Sequence, residues 1–266
     1  MGMKKPVIAG FVVAALLAMP VVRTAFGPSV RAADWRNATS RPVGWAPAPA
    51  DYEPAVVQAY AAKAWGWRGN FADHCWIAVK PAGASTYRRY EVVGFGVEYS
   101  RQSIRITDTA TPDREWYGSA PKLLQDIRGA DAEKIIAALP AAVDSYPYPD
   151  RYTAWPGPNS NTFIAHIARA IPDLRLALPG NAIGKDYTGW KVVAAAPSGT
   201  GVQLSLGGVF GFMLAGKEGF EVNLLGFVIG AGPGGLSLPG KGRVPGKADW
   251  TGKHGDVAIP GPAGGA

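Results

Sequence analysis

Glycine and proline set the tightest limit on what this chain can fold into. Thirty-five glycines and 23 prolines among 266 residues leave few stretches long enough for an extended helix or a long strand. Glycine tolerates the positive φ of tight turns, and proline, lacking an amide proton, ends helices and central strands. Their share still falls short of pervasive low complexity, so a globular, loop-rich chain of short elements is expected. With 47 % hydrophobic residues it has material for one sizeable core and an appendage.

The punctuation divides the body into readable pieces. Residues 33–49, rich in Ala and Pro with Trp35 and Trp45, read as a linker. Val56 to Trp67 has both helical spacing and β-branched residues, and a strand is preferred. His74–Lys80 and Tyr87–Val97 flank the turn-forming Pro81-Ala82-Gly83-Ala84-Ser85, which predicts an antiparallel hairpin, with a third strand over Ile104–Thr107. Between Ala120 and Tyr146 the spacing becomes helical: Leu123, Leu124 and Ile127 form one short face, and Ile135, Ile136 and Leu139 form another before Pro140 bends or ends the helix. Two proline clusters follow, and the second opens onto Asn159-Ser160-Asn161-Thr162, a strong helix start for the run Phe163–Ile171. Val202–Phe212 and Phe220–Ile229 alternate apolar with polar or Gly residues, so a second hairpin is expected, with Gln203 and Ser205, and likewise Glu221 and Asn223, on one face of their strand. Residues 231–266 read as an irregular Gly/Pro-rich tail. The class is therefore α+β: an antiparallel sheet of hairpins with two or three packed helices in a single domain over residues 50–230.

At the N-terminus, Lys4 and Lys5 precede an uncharged apolar run from Val7 to Val22, the order of an export signal. Residues 1–32 are expected to act as a signal peptide or an N-terminal membrane anchor, and either outcome places the body in the periplasm or on the outer face of the inner membrane. The formal charge of +7 then suits an anionic membrane surface or cell-wall polymer, and nucleic acid is not expected as a partner. With Cys75 alone, no intramolecular disulfide can form.

Few residues can carry chemistry. Cys75 neighbours His74, but adjacent strand residues point to opposite faces, so Cys75 reads as a small buried apolar group. His166 stands about 120° around its helix from Ser160 at ~100° per residue, and His254 sits in the tail. Ser160 projects over the inward face of its helix at the positive end of the helix dipole, where a hydroxyl serves as nucleophile or as a cap. Placing the hairpin turn at Gly83 sets the residues opposite His74 near Val92 and leaves Glu91 as an orienting carboxylate. Lys185 and Asp186, in a loop with Gly184, line a cleft or form a surface pair, and the surface pair is preferred. Neither a metal-ligand spacing nor a phosphate loop is present, and no cofactor is expected.

Four strings carry a resemblance: His74-Cys75-Trp76-Ile77-Ala78-Val79-Lys80, Pro156-Gly157-Pro158-Asn159-Ser160-Asn161-Thr162-Phe163, Ala182-Ile183-Gly184-Lys185-Asp186-Tyr187, and Glu218-Gly219-Phe220-Glu221-Val222-Asn223-Leu224-Leu225-Gly226. Together they resemble an uncharacterised bacterial family, domain of unknown function 3750, over most of Ala50 to Gly240. More remotely, a His on an early strand followed by a helix that starts Asn-nucleophile resembles the circularly permuted papain-like hydrolases and acyltransferases of the lecithin:retinol acyltransferase type. Those enzymes carry Cys where this chain has Ser160. That resemblance implies an envelope-located hydrolase or acyltransferase with Ser160 as nucleophile, His74 as base and Glu91 as orienter. The reading set against it is a non-catalytic envelope protein that binds a lipid or cell-wall component.

Overall fold

The computed structural model describes residues 36–99 and 101–244, together with the isolated positions 14, 15, 18, 22 and 24. The expected export segment and His254 lie outside the described residues, apart from those few positions. Within residues 36–244 the described architecture is α+β, with two antiparallel sheets and two α-helices.

The first sheet contains β1 (Val56–Lys63), β2 (Asp73–Lys80), β3 (Tyr87–Val92), β4 (Ile104–Thr109) and β5 (Lys122–Arg128), ordered β4-β3-β2-β1-β5. The strands β1 and β2 are buried along nearly their whole length. Both of their faces are covered, which is why their sequences read as continuous apolar runs with little alternation. One face holds Cys75, Ile77, Val79, Tyr90 and Val92 and packs beneath the helices α1 (Ala130–Asp144) and α2 (Ser160–Ala170). The other holds Tyr60, Trp76, Ala78, Tyr87 and Leu123.

That second face is covered by the segment expected to be a linker. The Asp113 carboxylate accepts from the Trp45 and Ala46 amides, the Trp45 indole donates to the Pro121 carbonyl, and the Tyr87 hydroxyl donates to the Pro47 carbonyl. Residues 36–49 therefore serve as a lid on the sheet. Trp45 packs against the cluster that contains Tyr60 and Trp76.

One helical expectation fails and another is narrowed. Lys122–Arg128 is a strand that pairs along β1, with a bulge where Ala59 faces Gln125 and Tyr60 faces Leu123. The extra residue, Leu124, shifts the side-chain parity, so Leu123 faces one layer while Leu124 and Ile127 face the other. A bulged strand thereby acquires helix-like spacing. Pro140 does not end α1, which runs on to Asp144 with Pro140 on its exposed side; the burial of Ile135, Leu139, Ala142 and Val143 carries the helix past the missing amide.

The second sheet is a seven-stranded meander: β6 (Val193–Ala195), β7 (Gly201–Leu206), β8 (Phe210–Ala215), β9 (Gly219–Leu224), β10 (Phe227–Gly232), β11 (Gly235–Leu238) and β12 (Gly242–Val244). Each of the two apolar stretches expected as one strand is two, because Gly207-Gly208 and Leu225-Gly226 reverse the chain with positive φ. The expected tail is ordered strand as far as Val244.

Candidate functional site

The order of β2 and β3 brings two of the three expected site residues together. His74 Nε2 lies 2.9 Å from Glu91 Oε2, and the same oxygen accepts from Arg89 Nη2 at 2.7 Å. Register makes the contact diagonal: Ile77 pairs with Tyr90, so Glu91 lies across the ladder from His74 on the shared face. Aromatic rings enclose the three groups. The His74 ring stacks on Trp116 with centroids 3.9 Å apart, and the Arg89 guanidinium sits 4.3 Å from the centre of Trp76.

The cluster is buried, with His74 6 %, Glu91 7 % and Arg89 2 % exposed. Burial alone would favour a protonated Glu91, but the His74 hydrogen bond and the Arg89 charge reverse this and hold its carboxyl down at about 2. Burial outweighs Glu91 at His74 and lowers its pKa, so the ring is neutral with Nε2–H donating to the carboxylate. Chemically this is a neutral imidazole locked by an anion that a guanidinium already neutralises. No Ser, Thr or Cys hydrogen-bonds to it among the described residues.

Ser160 belongs to the other side of the sheet. It is buried in the first turn of α2, the helix packed on the face that holds Cys75, whereas His74 shares the parity of Trp76. The expected Ser160–His74 pair is therefore not assembled. Capping falls to Asn159, whose side chain accepts from the Asn161 and Thr162 amides, while the Thr162 hydroxyl accepts from the Asn159 amide. The same string clamps its surroundings, since Asn161 Nδ2 donates to the Asp73 and Ile183 carbonyls and Thr162 Oγ1 donates to the Gly184 carbonyl. Cys75 is buried, and burial raises its thiol well above the ordinary range, as suits a packing group. His166 bridges the Ser145 hydroxyl and the Ala142 carbonyl at the helix–helix contact.

Lys185 and Asp186 form no surface pair. Lys185 Nζ is buried between Asp186 at 3.0 Å and Glu221 at 2.7 Å, on the inner side of the second sheet. Burial opposes its charge, but the two carboxylates win and raise its pKa. Asn223 donates to the Asp186 carboxylate, and Ser205 and Gln203 donate to the Asp186 carbonyl. A cavity of about 10 Å³ lies here beside Met213, Glu221 and Asn223, room for roughly one water. No cluster of three or more His, Cys, Asp or Glu suited to a metal occurs among the described residues.

The polar face of the second sheet is thus its buried one, and the consequence appears on its reverse. Leu204, Leu206, Phe210, Phe212, Leu214 and Phe220 point outward and lie 46–66 % exposed. Register makes them contiguous: Leu204 faces Phe212, Phe212 faces Val222, and Val222 faces Ile229. Every outward position of β6 to β11, from Val193 through Leu238, carries Val, Leu, Ile, Phe or Ala. The period-two spacing was legible in the sequence, but which set would be buried was not. No helix among the described residues is long and apolar enough to cross a membrane.

No curated protein and no solved structure matches the chain. The family model described as "Protein of unknown function (DUF3750)" matches residues 54–187, which run from β1 through the Arg89–Glu91–His74 cluster and α2 to the loop that holds Lys185. Half of the chain falls within that match, and the protein belongs to this family.

Proposed function

We propose that this is a non-catalytic, exported envelope protein that binds a lipid component through the outer face of its seven-stranded sheet. The observation that carries the reading is the inverted sheet, with hydrogen-bonding side chains buried and an uninterrupted apolar surface turned to solvent. Seven short strands ~4.8 Å apart and about 3.4 Å per residue long make that surface roughly 500–600 Å², at the top of the range monomers tolerate without a binding role. Exposing it costs solvation that an apolar partner recovers. The Lys4–Lys5 and apolar-run order supports delivery to an envelope, where lipid is at hand. Catalysis at Ser160 has less support, because the hydroxyl and the imidazole occupy opposite faces of the first sheet.

A photoreactive phenylalanine analogue at Phe212, in the full chain and in isolated envelopes, tests the proposal. Irradiation is expected to attach radiolabelled lipid at Phe212 and none at the exposed control position Arg88 on the first sheet. Equal labelling at both positions, or labelling of protein alone at Phe212, would sink it.

A further inference from the structure

The apolar face ends in a rim of a different kind. At the end of the sheet where β6 begins and β9 turns into β10, three exposed tryptophans line the edge. Trp190, fully exposed, precedes β6. Trp155 donates its indole proton to the Leu225 carbonyl in the β9–β10 turn. Trp67 packs on Phe71, whose ring meets Phe227 at the start of β10, with centroids 5.8 Å apart. Four exposed basic residues accompany them: Arg68 beside Trp67, Arg151 over Tyr148, Lys191 after Trp190, and Lys241 in the β11–β12 turn; Asp150 is the acidic neighbour. The opposite end, with Ser198, Thr200 and Lys217 in its turns, carries no tryptophan among the described residues.

Resting on the lipid-binding reading, we infer that the occupant of the face is the surface of an anionic bilayer, on which the sheet lies with the Trp67–Trp155–Trp190 rim at headgroup level. Three features favour a bilayer over a protein or a single extracted lipid. A protein interface needs about one hydrogen bond per 100–200 Å², and the outward positions offer no side-chain donor or acceptor. A single lipid is sheltered in a concave pocket, whereas this face is an open sheet surface whose Leu and Phe side chains are 46–66 % exposed. Tryptophan beside Arg and Lys is the composition of the membrane–water interface, where the ring is buried and its N–H stays wet, and the cations meet anionic headgroups.

Tryptophan quenching in vesicles separates the body from the N-terminal segment, because residues 1–34 contain no tryptophan. The full chain is reconstituted in phosphatidylethanolamine–phosphatidylglycerol vesicles whose lipids carry bromine near the headgroup end of the acyl chains. Part of the emission is expected to be quenched. Replacing Trp67, Trp155 and Trp190 by Phe should remove at least two-thirds of that quenching, and Trp190→Phe alone, at a fully exposed ring, should remove a measurable share should the triple variant not fold. Quenching should fall at least threefold in pure phosphatidylcholine vesicles and in the Arg68→Glu/Lys191→Glu variant. Wild-type quenching that the Trp variants do not change, or that is equal in neutral vesicles, overturns the inference. A dimer in light scattering with no quenching assigns the face to a second copy and also overturns it. Lipid attached at Phe212 without tryptophan quenching leaves the binding reading standing and removes the bilayer; loss of both removes the two together.

Discussion

Glu91 sits where two demands meet, since one carboxylate oxygen satisfies both the imidazole of His74 and the guanidinium of Arg89. Removing its charge leaves Arg89 buried between indoles without a counter-ion, so Glu91→Gln is expected to cost about 3–5 kcal/mol in denaturant unfolding. The pH dependence of this group has a definite sign. Its folded pKa, about 2, is below the unfolded 4.5, so its stabilisation is complete above pH 4.5 and is lost as pH falls toward 2. Asp73 has the opposite sign. Burial raises its pKa from 3.8 to about 6 against the pull of Lys63 and Lys122, so its charged form is penalised in the fold and stability declines as pH rises from 3.8 to about 6. Asp73→Asn is expected to flatten that decline, by about 2 kcal/mol between its ends, in melts taken across the pH window.

At the scale of elements, capping and inversion each give a paired test. Because Asn159 rather than Ser160 caps α2, Asn159→Ala is expected to lower stability by about 1–2 kcal/mol and Ser160→Ala by less than about 0.5 kcal/mol. Equal costs in urea titrations would return the cap to Ser160. The sheet makes a sharper contrast between adjacent residues of β9. Glu221 holds buried Lys185, so Glu221→Ala should cost about 3–5 kcal/mol, whereas Phe220→Ser on the outward side should stay within about 1 kcal/mol. A β-sheet with a conventional apolar underside would show the reverse order. Element types themselves were legible where local chemistry was unambiguous: the Pro81–Ser85 turn set the β2–β3 hairpin, and the proline stop with its Asn/Ser/Thr string set the start of α2. They were misread where a tertiary partner overrode spacing, as when the free edge of β1 drew Lys122–Arg128 into the sheet.

For the molecule as a whole, residues 36–49 belong to the fold, since they roof the layer that contains Trp76, Tyr60 and the Arg89–Glu91–His74 cluster. Trp45→Ala is expected to destabilise the whole domain by about 3–5 kcal/mol, in one cooperative thermal transition, because a large ring packed on the core and its indole hydrogen bond are lost together. Sequence alone determined the features that local rules dictate: short elements from the Gly and Pro density, the α+β class from the turn and cap signals, and the burial of Cys75 from its apolar strand. It brought Glu91 near His74 through the turn, but the observed ladder, with Ile77 opposite Tyr90, is offset by one residue from that expectation, and this offset puts Glu91 on the face of His74. It could not say which side of an alternating strand turns inward, since period two is the same for both. The tertiary structure decided that by setting Lys185, Asp186 and Arg169 under the second sheet, where Glu221, Asn223 and Gln203 could satisfy them, and so left the apolar side facing out. Nor could it say on which face of the first sheet α2 would pack; burial of Phe163, Ile164 and Ile167 against Cys75, Ile77 and Val79 chose the face away from His74, and with it separated Ser160 from the imidazole.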